Sequence, residues 1–431
     1  IEIGLTPNRP DCTGVRGIAR DLAAAGLGTL KPEQALGSVE GDYVCPVDIG
    51  LHFSSETADA CPAFAGRYVR GVKNGPSPKW LSQRLVAIGL RPISVLVDIT
   101  NYITYDRGRP LHVYDADKIS GEIHARLGKS GETFLALDGK TYEADETMCV
   151  IADDSGVLGF GGIIGGEASG CTDETTNILI ESAYFDPVRT AETGRKNGLI
   201  TDARYRFERG VDPAFVAPGL DLATEMVTRL CGGEPSKARV AGVAPEGRNV
   251  IAFDFGKVAK LTGHDVPKKD IERILEAIGC DVSGKGPAVK VTTPSWRPDM
   301  HGSADLVEEV IRIVGLDNIP AQPMARDHGV TRPVLTASQK RARRARRTLA
   351  ARGLVEAITW SFIGREDARH FGGGEDLLEL DNPISSELTS MRPSLLPGLL
   401  SALHRNKNRG FHDAGLFELG QAYRDDTPDG Q

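Results

Sequence analysis

The chain has 431 residues and a formal net charge of −8, and 40% of its residues are hydrophobic and 26% charged. This length allows about three domains with hydrophobic cores, the composition excludes a disordered chain, and the negative charge argues against binding nucleic acid over the whole surface. Seven scattered cysteines without a CxxC pair indicate a reducing compartment, and no apolar run approaches the roughly 18 residues of a membrane span, so we expect a cytoplasmic protein without membrane contact.

The first predicted helix spans residues 14–25, where apolar side chains recur at helical spacing and Gly26 follows as a stop signal. A polar stretch at residues 31–42 is typical of a linker. Residues 1–43 are therefore predicted to form a helical segment and linker that precede the next domain.

A second domain is predicted over residues 44–242, where short strands alternate with helices. One helix lies within residues 77–90, with Ser77 as its N-cap and Pro78 at its first helical position. The other elements predicted here are strands at 122–126, 133–137 and 148–152 and helices at 188–196 and 216–230. This alternation predicts a mixed α/β module.

A small domain is predicted over residues 246–321 and is expected to be helix-turn-helix-like. Its first helix lies within residues 266–280, with Gly279 closing it, and a second helix covers residues 305–314. Two strands complete this domain.

A proline-bearing linker at residues 318–323 leads to a last unit over residues 325–431. This unit carries two basic runs, at residues 339–347 and 404–409. Such runs favour solvated helix faces, with a local nucleic-acid-binding face as the alternative. The fold class predicted for the whole chain is α+β and multidomain.

The second domain carries three candidates for ligand binding. Residues 159–170, GFGGIIGGEASG, lack the Lys-Ser/Thr of a Walker loop and the glycine spacing of a dinucleotide fingerprint, so their glycines indicate either tight packing or close ligand approach. His112 is expected in a turn after a proline and is either a structural hydrogen-bonding group or a catalytic one. Glu181 ends an apolar run, so its carboxylate should be half-buried and need a donor, which a ligand hydroxyl could supply.

An acidic cluster at residues 296–310 has the donor set of a metal site. Asp305, Glu308 and Glu309 share one helix face at i, i+3 and i+4, and Asp299 precedes that helix. Four oxygen donors without sulfur or imidazole suit Mg²⁺. The alternative is the usual enrichment of acids at a helix N-terminus, where Asp305 interacts with the helix dipole.

Several longer motifs together resemble one protein family. They are TPNRPDCTGVRGIARDLA (6–23), VDITNY (97–102), GRPLHVYD (108–115), GGE (165–167) and RFERGVDP (206–213). In this order, along essentially the whole chain, they resemble the β subunit of bacterial phenylalanyl-tRNA synthetase. The resemblance implies a partial subunit that lacks an N-terminal tRNA-binding domain and a C-terminal anticodon-binding domain. The last unit resembles a truncated class II synthetase-like antiparallel core without catalysis of its own.

The resemblance also implies an editing function. The second domain resembles the family's tRNA-binding B3/B4-type editing module, which hydrolyses tyrosine wrongly attached to tRNA(Phe). Its pocket positions correspond to His112, Gly165, Glu181, Thr201 and Ala203. Ala203 would leave room for the para-hydroxyl, Glu181 would accept its hydrogen bond, and the Gly165 backbone would allow close approach. His112 would position the terminal adenosine or the water, or act as a general base.

Partners and a metal follow from the same resemblance. A separate α subunit would hold the ATP and phenylalanine site in an α2β2 tetramer, so ATP would be used there and not by this chain. Mg²⁺ would be held by Asp299, Asp305, Glu308 and Glu309, in a structural or interface role. The other partners would be tRNA(Phe), tyrosine and phenylalanine.

Two other functions stay open from the sequence. One is an independent metal-dependent hydrolase that uses the acidic cluster. The other is a non-catalytic tRNA-binding or assembly subunit in which the pocket is degenerate.

Overall fold

A computed structural model describes residues 2–32, 39–324 and 333–427. The chain divides into two units, Ile1–Ala321 and Gln322–Gln431, and the division falls within the predicted linker at residues 318–323. Part of the other predicted linker (33–38), the start of the predicted last unit (325–332) and the chain ends lie outside the described residues. No helix in the described ranges is long and apolar enough to cross a membrane.

The first unit begins with a helix and then alternates strands and helices. In chain order these elements are α1 (Val15–Ala24), β1 (Ile49–His52), β2 (Ala63–Arg70), α2 (Lys79–Ala87), α3 (Val95–Arg107), β3 (His112–Asp115), β4 (Ile123–Leu127), β5 (Glu132–Leu135), β6 (Thr141–Ala144), β7 (Cys149–Asp153), β8 (Gly156–Phe160), β9 (Ile164–Gly165), β10 (Asn177–Tyr184), α4 (Pro187–Lys196), α5 (Asp202–Phe207), α6 (Val216–Cys231), β11 (Glu234–Pro235) and β12 (Arg239–Gly242). The strands and helices predicted between residues 122 and 230 are confirmed to within a few residues.

Most of these strands form two sheets. Sheet one has the order β1-β4-β7-β8-β9, and sheet two has the order β11-β2-β10-β3, with β12 also pairing with β2. The two sheets enclose a shared apolar core, to which sheet one contributes Ile123 and Ile151 and sheet two contributes Phe64 and Leu179. Helices α2, α3 and α6 cover the other face of sheet two.

Strand β10 shows why one acidic side chain enters this core. Ile178 and Ile180 pack with the helices, whereas Leu179 and Ala183 pack between the sheets. Because successive side chains of a strand point to opposite faces, Glu181 has the same orientation as Leu179. The sequence alternation therefore directs a carboxyl group into the space between the sheets.

The rest of the first unit is a small domain with three strands rather than the two predicted. Its elements are β13 (Val250–Asp254), α7 (Gly256–Thr262), α8 (Lys268–Ala277), β14 (Asp281–Ser283), β15 (Ala288–Thr292) and α9 (Ser303–Val314). The sheet order is β13-β15-β14. Alternate residues of β13 are buried, and Ile251 and Phe253 pack with Ile271 and Leu306 from the helices.

The second unit has short strands and exposed helices. Its elements are α10 (Ala337–Ala351), β16 (Val355–Glu356), β17 (Phe362–Ile363), α11 (Arg365–His370), β18 (Ser390–Met391), α12 (Leu396–Asn408) and β19 (Leu416–Phe417). Strands β17 and β18 are antiparallel, but β16 and β19 are parallel. The expected antiparallel core is thus only partly present in the described residues. The two basic runs lie on α10 and α12.

One local prediction was wrong. Ser77 does not cap α2, because its hydroxyl donates to Asp98 Oδ2 at 2.6 Å, and Pro78 occupies the N-cap position instead. The helix predicted at residues 14–25 is confirmed as α1, although two residues of its apolar spacing are not buried: Val15 is 59% and Leu22 48% exposed.

Candidate functional site

The candidate site is a cavity between sheets one and two. Its volume is about 70 Å³, roughly five to seven times the ~10–15 Å³ that one water molecule needs. The space therefore suits a group the size of a phenol ring rather than a nucleotide. It is lined by Pro110, Leu111, His112, Tyr114, Ile151, Gly159, Phe160, Gly161, Gly162, Ile163, Ile164, Gly165, Glu181, Ala203 and Phe207.

Glu181 provides the acidic group of this cavity. The residue is only 6% exposed, and it accepts a hydrogen bond from the Tyr114 hydroxyl at 2.5 Å. Burial raises the pKa of Glu181 from 4.5 to about 7, although the Tyr114 hydrogen bond opposes this rise. A carboxylate has more acceptor capacity than one donor fills, so Glu181 can also accept from a ligand hydroxyl.

His112 lies beside Glu181, because β3 and β10 pair antiparallel with these two residues in register. Its Nε2 atom is buried and has no hydrogen-bond partner. Burial lowers the pKa of His112 to about 4, so the imidazole is neutral at pH 7. A neutral ring with an unpartnered nitrogen at the cavity is suited to hydrogen bonding with a ligand or a water molecule.

The glycine-rich loop forms the opposite wall by packing closely on its neighbours. A Cβ atom at Gly165 would lie 2.5 Å from His112 Cε1, and one at Gly161 would lie 2.7 Å from Phe185 Cε1. Gly162 has a φ of +71°, which is unfavourable for other residues. The sequence left two interpretations of these glycines open, tight packing and close ligand approach. The structure shows the tight packing, and the contact with Gly165 sets the position of His112.

Two of the predicted pocket residues lie near the start of α5 but have different surroundings. Ala203 lines the cavity, whereas Thr201 does not. The Thr201 hydroxyl donates to the Ile163 carbonyl at 2.8 Å and accepts from the Arg204 N–H at 3.1 Å. Thr201 thus connects the glycine-rich loop to α5, and its predicted role in the pocket stays a prediction.

Tyr114 and Phe207 were not predicted as pocket residues, although both line the cavity. Tyr114 lies two residues after His112 on β3, so strand periodicity alone places both on one face. The rings of His112 and Tyr114 meet edge to face, with their centroids 4.4 Å apart. Phe207 packs against Phe185 at 5.2 Å. This contact joins α5 to the residue that follows β10.

The predicted acidic metal site has a different arrangement. Arg297 is buried and forms two hydrogen bonds of 2.8 Å to Asp299 and one of 2.7 Å to Glu309. Arg312 also donates to Glu309, at 2.8 Å. Burial alone would raise the pKa of Glu309, but hydrogen bonds and charge from both arginines lower it to about 2. Arginine side chains therefore neutralise these two carboxylates in this structure.

The other two acids of that cluster have different surroundings. Asp305 Oδ2 accepts from the backbone N–H groups of His301 and Gly302 at 2.9 and 2.8 Å, which is the helix N-terminal role considered as the alternative. Glu308 is exposed. Within the described residues, one group of metal-type side chains has all its ligand atoms within 4.8 Å, and it includes none of these four acids. They do not fit a shared Mg²⁺ site in this arrangement.

Three domain families match the chain in succession. Residues 60–232 match the B3/4 domain, residues 251–316 match the tRNA synthetase B5 domain, and residues 322–431 match the phenylalanyl tRNA synthetase beta chain CLM domain. The cavity lies within the first of these matches. The fold and its domains thus define a chain built from tRNA synthetase modules.

Curated relatives are similar to this chain over essentially its whole length. It is 55% identical over 431 residues to the phenylalanine–tRNA ligase beta subunit of Bradyrhizobium diazoefficiens and 54% identical over 428 residues to that of Paramagnetospirillum magneticum. These alignments cover 100% and 99% of this chain but 53% of each relative. The chain belongs to the family of bacterial phenylalanine–tRNA ligase beta subunits and spans about half the length of these relatives.

A solved N-terminal fragment of the phenylalanyl-tRNA synthetase beta subunit from Pyrococcus horikoshii is a more distant match. It aligns with 72% of this chain and 84% of its own, at 18% identity and a TM-score of 0.36. The family assignment rests on the domain matches and the bacterial relatives.

Proposed function

We propose that this chain is part of a phenylalanine–tRNA ligase beta subunit and that its cavity removes tyrosine wrongly esterified to tRNA(Phe). The observation that carries the proposal is Glu181, a buried carboxyl group at a small, mostly apolar cavity. The names of the relatives and the B3/4 match support the subunit role. The sequence resemblance supplies the editing substrate.

Selectivity would come from the para-hydroxyl of tyrosine. Ala203 and the glycines leave space for the ring, while Glu181 accepts a hydrogen bond from the hydroxyl. A hydrogen bond to the ionised carboxylate contributes about 1.5–3 kcal/mol. Phenylalanine offers no such donor and would leave Glu181 with the Tyr114 hydroxyl alone. An aminoacylation site that admits phenylalanine excludes the slightly larger tyrosine poorly. A second site that recognises the tyrosine hydroxyl therefore improves discrimination between the two amino acids.

Hydrolysis requires an oriented water molecule at the ester carbonyl. His112 is a weak base at neutral pH because burial lowers its pKa to about 4. We therefore assign His112 to hydrogen bonding, through its unpartnered Nε2, with the attacking water or the terminal ribose. Of the two roles suggested from the sequence, positioning fits this environment better than general-base catalysis.

The assembly is proposed on the same basis. A separate alpha subunit would bind ATP and phenylalanine and charge tRNA(Phe), and this chain would contribute to the tetramer and to tRNA binding. A Mg²⁺ ion would need Asp305 and Glu308 to be joined by ligands other than Asp299 and Glu309, since Arg297 holds those two. No step of the proposed hydrolysis uses the ion.

Binding of free amino acids to the purified chain tests the pocket. We expect calorimetric titration to show tyrosine binding at least about tenfold tighter than phenylalanine, corresponding to ~1.4 kcal/mol. Glu181→Gln should remove most of this preference because the amide is a weaker acceptor than the carboxylate. The matched control is Asp115→Asn, since Asp115 is equally buried on the neighbouring strand but does not line the cavity.

Deacylation of Tyr-tRNA(Phe) and Phe-tRNA(Phe) by the same proteins tests the reaction. The wild type and the control should release tyrosine selectively, and Glu181→Gln should lose the selectivity. Tyrosine-selective binding without deacylation would favour the non-catalytic tRNA-binding or assembly subunit. Equal binding of both amino acids by the wild type would refute the assignment of the pocket.

A further inference from the structure

The edge of sheet one farthest from Gly165 carries two histidines and a glutamate. Strands β1 and β4 pair in parallel, with Gly50 opposite His124 and His52 opposite Arg126. His52, Glu122 and His124 therefore occupy alternate positions on one face of this strand pair. That face is opposite to the one on which Ile123 joins the core.

The three side chains converge. His52 Nε2 lies 2.9 Å and His124 Nδ1 lies 3.9 Å from Glu122 Oε2. One ligand atom from each residue lies within 4.8 Å of the other two. A Cβ atom at Gly50 would lie 2.5 Å from Glu122 Oε1 and 2.9 Å from His52 Nε2, so a glycine at this position leaves the space that the group occupies.

We propose that His52, Glu122 and His124 bind one Zn²⁺-like divalent transition-metal ion. Two imidazoles and one carboxylate are a known donor set for zinc, with a fourth position for water. Imidazole nitrogen favours zinc, nickel or copper, whereas Mg²⁺ favours oxygen donors. This site shares no residue with the cavity at Glu181 and does not depend on the proposed function.

Binding requires one ring to turn. The two imidazoles are stacked with centroids 4.3 Å apart and an angle of 21° between their planes, whereas a metal ion must lie near the plane of each ring. The His52 side chain is 51% exposed and can rotate, while that of His124 is 11% exposed. The ion would then connect edge strand β1 to β4 across a pairing of only four residues. Because metal binds the folded site, its addition should raise the unfolding midpoint.

The test is a Zn²⁺ titration of the chelator-treated full chain in a buffer that contains excess Mg²⁺. We expect one Zn²⁺ per chain and a higher midpoint of thermal unfolding. His52→Ala and Glu122→Gln should each weaken Zn²⁺ binding at least about tenfold, since even loss of a residue outside the ligand shell costs about 10–100-fold. His412→Ala is the matched control, because His412 is an exposed histidine in the second unit.

Co²⁺ in place of Zn²⁺ reports the donor type. Tetrahedral visible bands without thiolate charge transfer, lost in His52→Ala, would support the site. All seven cysteines are free thiols, so a thiolate band would place the metal elsewhere and overturn the proposal. Absence of Zn²⁺ binding by the wild type, or equal affinity in the wild type and His52→Ala, would also overturn it.

Discussion

Replacing Glu181 with glutamine should change how the stability of the B3/4 domain depends on pH. The folded state keeps the Glu181 carboxyl protonated up to about pH 7, whereas its ordinary pKa is 4.5. The unfolded chain therefore loses this proton first, and the free energy of unfolding falls as the pH rises from about 4.5 to 7. At about 1.36 kcal/mol per pH unit, a rise of the Glu181 pKa from 4.5 to about 7 corresponds to about 3 kcal/mol.

His112 acts in the opposite direction. Its pKa falls from 6.5 to about 4 on burial, so the unfolded chain binds this proton first and stability is lost as the pH falls from about 6.5 to 4. The magnitude is again about 3 kcal/mol. The two contributions largely cancel between pH 4.5 and 6.5 in the wild type. In Glu181→Gln the contribution of His112 is no longer opposed, so the free energy of unfolding should rise by about 3 kcal/mol as the pH rises from 4.5 to 6.5.

Urea unfolding at several pH values would measure this effect. A hydrogen-exchange pulse at one fixed pH, followed on the peptide that contains β10, reports unfolding of this domain separately from the rest of the chain. His112→Gln should give the mirror result, with stability falling as the pH rises from about 4.5 to 7. Parallel pH profiles of Glu181→Gln and the wild type would refute the burial of the Glu181 carboxyl group in the pocket.

Three further results are expected. Gly165→Ala should weaken tyrosine binding at least about tenfold by calorimetry, because the new Cβ would displace His112; unchanged affinity would exclude this packing role. Arg297→Met should lower the urea unfolding free energy by about 3–5 kcal/mol, because Asp299 loses its arginine partner and Glu309 keeps only Arg312; a neutral effect would contradict the ion-pair network. The thermal midpoint should be the same in Mg²⁺ and in chelator, whereas a Mg²⁺ shift that Asp305→Ala abolishes would restore the metal prediction.

Periodic patterns in the sequence predicted much of the first unit. The apolar run that ends near Glu181 is β10, and its carboxyl is even more buried than expected, at 6% exposure. Helix α9 was also predicted, because its apolar spacing faces a core that lies next to it. Short-range periodicity is sufficient to predict a helix or strand whose apolar face packs on the core of its own domain.

Polar partners were harder to predict because they depend on distances between segments. Ser77 lies where an N-cap is expected, but its hydroxyl donates a hydrogen bond to Asp98 on another helix. The acidic cluster showed four oxygen donors, but sequence spacing does not reveal that the Arg297 side chain folds inward to hold Asp299 and Glu309. In both cases the group that forms the hydrogen bond, Asp98 or Arg297, is close in space, and a pattern of residue types does not predict that contact.

Packing and one hydrogen bond hold His112 and Glu181 in the pocket, and this bears on the proposed role of the pocket. His112 is fixed by Gly165 and the Tyr114 ring, while its Nε2 has no hydrogen-bond partner. Glu181 receives a hydrogen bond from Tyr114. A buried nitrogen without a partner costs free energy that a ligand can recover on binding. The same close packing that directs these groups into the cavity therefore keeps them available for a hydroxyl and a water molecule.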